Sequence, residues 1–410
     1  MCTHLTGFIV VSSMNEATDR PAPLPPLLIT NARLVEPGRR ISTGDLLIEN
    51  GRIAAFRSTL PDRLEGAETI DAEGRLLTPG LIDLHTHGIE HCIYELGPEQ
   101  LVGGCDCLAR YGVTTVLPTT VPQVSDHYME RLEAVAATLP SIRNVNIPGL
   151  HLEGPFLALP GSAAATIPGD LVLLEELFKT CRDRVTAMSV SPDAENILPV
   201  IERLSEKGVA IFLTHTRASV EETEAAIEAG ARHATHFYDV FYPPAEKDPG
   251  VRPVGAVEAV LADPRTTVDF ISDGIHVHPT AIRAAVAAKG FEGISLITDS
   301  NIGAGLPPDV YDTPNGFRVR IREGDAPRDE TKGVLAGSAL TMNRGMENLL
   351  DWLDLPTEQV WAMGTVNPAR VAGLRDRGTL EIGARADLVL WGNDLNPIYT
   401  WVGGRPIGLS

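Results

Sequence analysis

Short apolar runs separated by turn residues occupy both ends of the chain, and a different rhythm fills its middle. Near the start, residues 27–30, 46–48, 52–56 and 69–71 read as strands. Glu49-Asn50-Gly51 reads as a hairpin turn, because Asn-Gly tolerates the left-handed backbone a tight turn requires. The same texture returns in Ala386-Asp387-Leu388-Val389-Leu390-Trp391 and in residues 397–402. Two β-rich ends predict one small β-sandwich assembled from both termini, residues 27–76 with 377–410.

Between them, residues 77–376 alternate apolar strands with amphipathic helices, the pattern of βαβ units and a parallel sheet. Eight strands are predicted, at 81–86, 114–118, 147–152, 187–190, 210–214, 234–237, 267–271 and 294–298. Ser219-Val220-Glu221-Glu222 has the spacing of a capping box and opens a helix that stops at Gly230. Eight such units predict an α/β fold, a (β/α)8 TIM-type barrel. There is no internal repeat of fixed period that would indicate a solenoid.

Residues 1–26 end in Arg20-Pro21-Ala22-Pro23-Leu24-Pro25-Pro26, a proline density that predicts an extended, disordered tail or a true start at Met14. Residues 7–14 are too short and lack the basic flank of a signal peptide, and no apolar run reaches membrane-spanning length. With 34 Lys+Arg against 54 Asp+Glu, the net charge of −20 repels phosphate backbones and anionic lipid, which argues against nucleic-acid and membrane-surface roles. Five cysteines, an odd number without a framework, suit a reducing compartment, so a cytoplasmic protein is expected. Cys105 and Cys107 fall in a predicted helix over 99–111, where a spacing of two points them to different faces; they read as ordinary buried thiols.

The active end of such a barrel lies at the C-terminal ends of its strands. Polar residues recur there. The first strand ends in Asp83-Leu84-His85-Thr86-His87, and a spacing of two along a strand puts both imidazoles on one face, as joint coordination of a cation requires. His151-Leu152-Glu153 ends the third strand, Thr214-His215 the fifth, Thr235-His236 the sixth and Thr298-Asp299 the eighth. A lone strand-end histidine is more often a hydrogen-bonded structural residue, which is the reading for His233, three residues from His236 and facing the other way. Four histidines with two carboxylates converging on one barrel end suit zinc or a similar divalent metal.

These motifs give the chain its resemblance, over residues 27–402, to the amidohydrolase superfamily and within it to the N-acetylglucosamine-6-phosphate deacetylases. The matching stretches are Pro79-Gly80-Leu81-Ile82-Asp83-Leu84-His85-Thr86-His87-Gly88, His151-Leu152-Glu153-Gly154-Pro155-Phe156, Ala234-Thr235-His236, Asp273-Gly274-Ile275-His276, Thr298-Asp299, Leu335-Ala336-Gly337-Ser338 and Asn367-Pro368-Ala369-Arg370. The segment around Glu153 is the most specific, since most other amidohydrolases use a lysine there. The resemblance implies that Glu153, His215 and His236 hold a principal metal. It implies a second cation on His85 and His87, touching Asp299 and bridged by Glu153. Family members without the first-strand histidine pair work with one metal, so one or two ions per subunit remain open. It also implies a homodimer acting on a small N-acyl substrate. Asp299 is the expected proton carrier, taking a proton from water and delivering it to the leaving amine.

The pattern departs from that family where a phosphorylated sugar would be held. An expected Asn-Ala pair after the sixth strand reads Asp239-Val240, and an expected Arg-Glu-Pro-Gly reads Lys247-Asp248-Pro249-Gly250. A histidine is missing from Gly161-Ser162-Ala163-Ala164-Ala165-Thr166. His276, Asp239 and Lys247 are therefore the expected substrate contacts, with Arg217 and Arg252 as spare cations or plain surface arginines. The leading expectation is deacetylation of N-acetylglucosamine 6-phosphate, with an unphosphorylated or different N-acyl compound as the alternative. A deaminase or cyclic-amide hydrolase on the same barrel, or a barrel without chemistry, are further alternatives.

Overall fold

The computed structural model describes residues 24–57, 66–161, 165–313 and 316–409. The expectations for Met14 and for the chain up to Pro23 lie outside those residues, as do Ser162, Ala163 and Ala164.

Eight parallel strands form the central sheet: Leu81–Thr86, Val113–Thr120, Leu150–Glu153, Val185–Val190, Ala210–Leu213, His233–Ala234, Thr267–Ile271 and Ile294–Ile297, each laddered to the next in chain order. A helix follows each of them, beginning with Pro98–Cys107 and Asp126–Thr138 and ending with Met342–Trp352. The helices form for local reasons. Val220–Ala229 opens with both arms of the Ser219/Glu222 capping box and stops at Gly230, while Ile197–Glu206 buries Ile197, Val200, Ile201 and Leu204, the 3–4 spacing of one helix face. Among the described residues, no helix is long and apolar enough to cross a membrane.

The first and eighth strands close the barrel without a ladder of their own. Asp83 Oδ2 accepts from Thr298 Oγ1 at 2.6 Å, and the Asp299 backbone N–H donates to the His85 carbonyl at 2.8 Å. Two strands differ most from expectation, the others by no more than two residues at an end. The third begins at Leu150 rather than 147, since Pro148 has no N–H to donate to a ladder. The sixth is His233–Ala234 instead of 234–237, because the chain leaves the extended conformation at His236, whose φ is 36°.

Strands from both ends of the chain join one further sheet. Its order runs Arg405–Ile407, Pro397–Val402, Leu388–Trp391, Leu76–Pro79, Leu27–Glu36, Arg40–Glu49, Arg52–Arg57, with Glu68–Asp71 also pairing with Leu27–Glu36. The turn at Asn50 and Gly51 has φ values of 52° and 74°. Asp387 fastens this sheet to the barrel: one oxygen accepts from the Gly403 N–H, the other from Asn146 Nδ2, which also donates to the Thr114 carbonyl. Between the eighth strand and its helix lies a small antiparallel sheet, Val310–Asp312, Arg318–Arg320 and Arg328–Asp329, which the hydrophobic pattern did not predict.

Candidate active site

The C-terminal ends of the barrel strands bring His85, His87, Glu153, His215, His236 and Asp299 together around the carboxylate of Glu153. Its two oxygens face different partners. Oε1 lies 3.1 Å from His215 Nε2 and 3.2 Å from His236 Nε2. Oε2 lies 3.3 Å from His87 Nε2 and 3.7 Å from His85 Nε2. Asp299 Oδ1 lies 3.3 Å from His87 Nε2 and 3.8 Å from His85 Nε2.

The backbone is bent to aim these groups. His215, His236 and Asp299 have φ of 48°, 36° and 46°, left-handed values that cost non-glycine residues roughly 1–2 kcal/mol each. Each sits at the first turn beyond its strand, where the bend turns the side chain over the barrel mouth. The surroundings hold the strain in place. Asp269 Oδ1 accepts the His236 N–H, and the Asp299 carbonyl accepts from the Ser338 N–H at 2.8 Å. The neighbouring Gly337 has φ +66°, and a Cβ there would lie 2.9 Å from the Asp299 carbonyl oxygen, so the close approach requires glycine.

Electrostatics follow from packing these groups into a buried space. Burial pushes the Glu153 carboxyl up, but the charge of His85 and hydrogen bonds from His215 and His236 override it and hold the group well below the carboxylate range. Asp299 is likewise held low against its burial by His85 and His87. Burial works against the charge on His236, yet Glu153 raises its pKa to about 10; His87 is raised by Asp299 and Glu153 in the same way. The two carboxylates thus favour the charged forms of His87 and His236.

A cavity of about 520 Å³ opens above this cluster, lined by His87, His215, His236 and Asp299 and, further out, by Glu95, Asp239, Tyr242, His276 and Asn301. Val334 and Leu335, carried on the small antiparallel insertion, contribute an apolar side.

Residues 76–407 match the model of the amidohydrolase family. The chain belongs to that family. Within it the similarity runs to the N-acetylglucosamine-6-phosphate deacetylases. The enzyme of that name from Vibrio furnissii is 32% identical over 364 residues, covering 87% of this chain and 88% of its own. That from Bacillus subtilis is 29% identical, covering 91% and 95%. The crystal structure of N-acetylglucosamine-6-phosphate deacetylase from Pasteurella multocida superposes with a TM-score of 0.82 at 26% identity, covering 93% of this chain and 99% of that one.

The donor set of this amidohydrolase fits a metal. Tetrahedral coordination with bonds near 2.0–2.1 Å places ligand atoms about 3.4 Å apart, and the contacts of 3.1–3.3 Å around Glu153 are of that order. His85 Nε2 is buried and has no hydrogen-bond partner among the described residues, although it points at both carboxylates. Two groups have the mutual spacing to hold an ion: His85, His87 and Asp299, and His85, Glu153 and His236. His215 falls outside both by that spacing, although it contacts the same Glu153 oxygen as His236. Outer partners orient the rings, with His85 Nδ1 2.9 Å from Thr235 Oγ1 and His236 Nδ1 3.3 Å from the Asp239 carbonyl.

Of the expected substrate contacts, the structure brings Asp239 and His276 to the cavity and leaves Lys247 exposed and outside its lining. His276 Nδ1 lies 2.6 Å from Asp273 Oδ2. His233 is buried between Thr267 and Asp269, as its spacing from His236 suggested. Cys105 and Cys107 are both buried, as ordinary thiols of the core, and Cys107 Sγ contacts the Gly103 carbonyl. Glu95, Tyr242 and Asn301 were not singled out in the sequence; Glu95 lies in the short 3-10 helix Tyr94–Leu96 and the other two on loops, and only the first turn of chain beyond a strand end carries a positional signal.

Proposed function

We propose that this protein is a metal-dependent deacetylase that hydrolyses N-acetylglucosamine 6-phosphate to acetate and glucosamine 6-phosphate. The observation that carries the reading is the division of Glu153, with one oxygen toward His215 and His236 and the other toward His85 and His87. Glu153 with His215 and His236 would hold one cation, His85 and His87 with Asp299 would hold a second, and the imidazole and carboxylate donors suit zinc. A cation held there would lower the pKa of water to about 7 and polarise the acyl carbonyl.

The chain's own residues do the rest. Asp299, ionised and 3.3 Å from His87, takes the proton of the attacking water as oxygen bonds to the acetyl carbon. It then hands that proton to the sugar nitrogen as the C–N bond breaks, leaving acetate and a free amine. His276 and Asp239 contact the sugar, and Val334 and Leu335 exclude water from one side. By its family resemblance the enzyme works as a homodimer.

The test is release of acetate and amine in equal amounts by zinc-loaded protein. Ammonia without acetate would identify a deaminase, and silence with every divalent cation would refute hydrolysis. Asp239 in the cavity favours one second reading, an unphosphorylated N-acetyl amine, because a carboxylate there repels a phosphate.

A further inference from the structure

The cavity that receives the substrate has acidic walls. Glu95, Glu153, Asp239 and Asp299 all line it, and among the described lining residues there is no lysine or arginine. A phosphate dianion bound there needs a cationic donor, preferably a guanidinium able to pair with two oxygens at once. His276, its Nδ1 bonded to Asp273, can offer only Nε2 to a phosphate, so a guanidinium that pairs with two of its oxygens has to come from the rim.

Three cations lie on the loops above the fifth and sixth strands, and their surroundings separate them. Lys247 is exposed and does not line the cavity. Arg252 is 81% exposed and donates to Glu258 at 2.6 Å. Arg217 is likewise exposed and outside the lining, and differs from both in what it touches. It lies two residues beyond His215, on a segment joined to the chain after His236: Thr216 N–H donates to the Val240 carbonyl at 3.1 Å, and Tyr242 N–H to the Thr216 carbonyl at 3.0 Å. Its backbone N–H is fixed by Asp193 at 3.0 Å. Its guanidinium lies 4.5 Å from the centre of the Tyr242 ring, and Tyr242 lines the cavity.

We propose that Arg217, braced on Tyr242 at the cavity rim, is the residue that binds the phosphate of the substrate. Contact with an aromatic ring occupies one face of a guanidinium and leaves its edge N–H groups free to bond. Among the described residues no carboxylate pairs with that guanidinium, so a phosphate would meet a cation with unspent donors. The same placement offsets the repulsion from Asp239, which faces the cavity from the neighbouring loop.

This inference rests on the deacetylase reading, and its test separates the two. Steady-state kinetics on N-acetylglucosamine, with and without the 6-phosphate, are measured for the wild type and for Arg217→Ala, Arg217→Lys and Lys247→Ala. Loss of a charge-assisted hydrogen bond predicts that Arg217→Ala raises KM for the phosphorylated sugar at least roughly tenfold. It should leave kinetics on the unphosphorylated sugar nearly unchanged. Arg217→Lys should recover part of the loss, as a point charge without the fork, and glucosamine 6-phosphate should bind Arg217→Ala more weakly by calorimetry.

An unchanged phosphate preference in Arg217→Ala overturns the assignment, as does loss of that preference in Lys247→Ala alone. A wild type that deacetylates both sugars equally well also overturns it, while leaving the deacetylase reading intact. Acetate release from neither sugar removes both.

Discussion

His233 Nε2 lies 2.8 Å from Asp269 Oδ2, while the other oxygen of that carboxylate accepts the backbone N–H of His236. Neither His233 nor Asp269 lines the cavity, yet the pair fixes the bend that turns His236 toward Glu153. Asp269→Ala is therefore expected to weaken metal retention by about 10- to 100-fold, the range for partners that orient a ligand. Competition with a chelator measures it, and wild-type affinity in the variant would discard the relationship.

Asp299→Asn keeps the size of the proton carrier and removes its basicity. Turnover should fall by about 10² to 10⁴. Metal analysis on the same preparation should find the ion at Glu153, His215 and His236 retained. Near-normal turnover would show that another group carries the proton.

Replacing His87 by asparagine separates the two halves of the site. The His87→Asn protein should hold one equivalent of metal per chain and the wild type two, because only the Oε2 side of Glu153 loses a ligand. Equal stoichiometry in both proteins, measured by elemental analysis, would argue that a single ion serves the enzyme.

The metal-free protein should be pH-sensitive in a defined direction. The pKa of His236 rises from 6.5 to about 10 on folding because Glu153 favours its protonated form. A raised pKa contributes stability that is fully present below about 6.5 and lost as pH climbs through about 10. The melting temperature of metal-free protein should therefore fall across that window. Bound metal takes the place of those protons, so the metal-loaded protein should lack this decline, and metal uptake in a weakly buffered solution should release protons. A flat melting profile for the metal-free protein would contradict the coupling to Glu153.

Gly337→Ala tests the close approach behind Asp299. With φ of +66° and a Cβ 2.9 Å from the Asp299 carbonyl oxygen, alanine must displace the backbone that aims the carboxylate. Thermal denaturation should register a loss of about 1–2 kcal/mol from the backbone conformation alone. Activity should fall further than stability does, and full activity would mean that Asp299 tolerates the shift.

Much of the barrel was legible because its signals are local. An apolar run such as Ile294–Ile297 and a capping box such as Ser219/Glu222 act over a few residues, and strand order in a βαβ array follows chain order. The ligand cluster was legible because strand ends converge in this architecture, so His85, Glu153 and Asp299 could be gathered without a three-dimensional contact. Strands of two or three residues, such as Arg328–Asp329, carry no period to detect. The cavity wall was harder still. Tyr242 and Lys247 share one loop, and only the folded path of that loop brings the first to the cavity while leaving the second in solvent.

The sheet that joins the two ends of the chain sets a delay on synthesis. Leu76–Pro79 pairs with Leu27–Glu36 on one side and with Leu388–Trp391 on the other. At 5–20 residues per second, a ribosome needs roughly 15–60 s to travel from Leu76–Pro79 to Leu388–Trp391. Throughout that interval the nascent chain presents an open strand edge, and the barrel must take shape beside it. Truncation before Leu388 would leave the edge permanently unpaired, inviting association with a neighbouring chain.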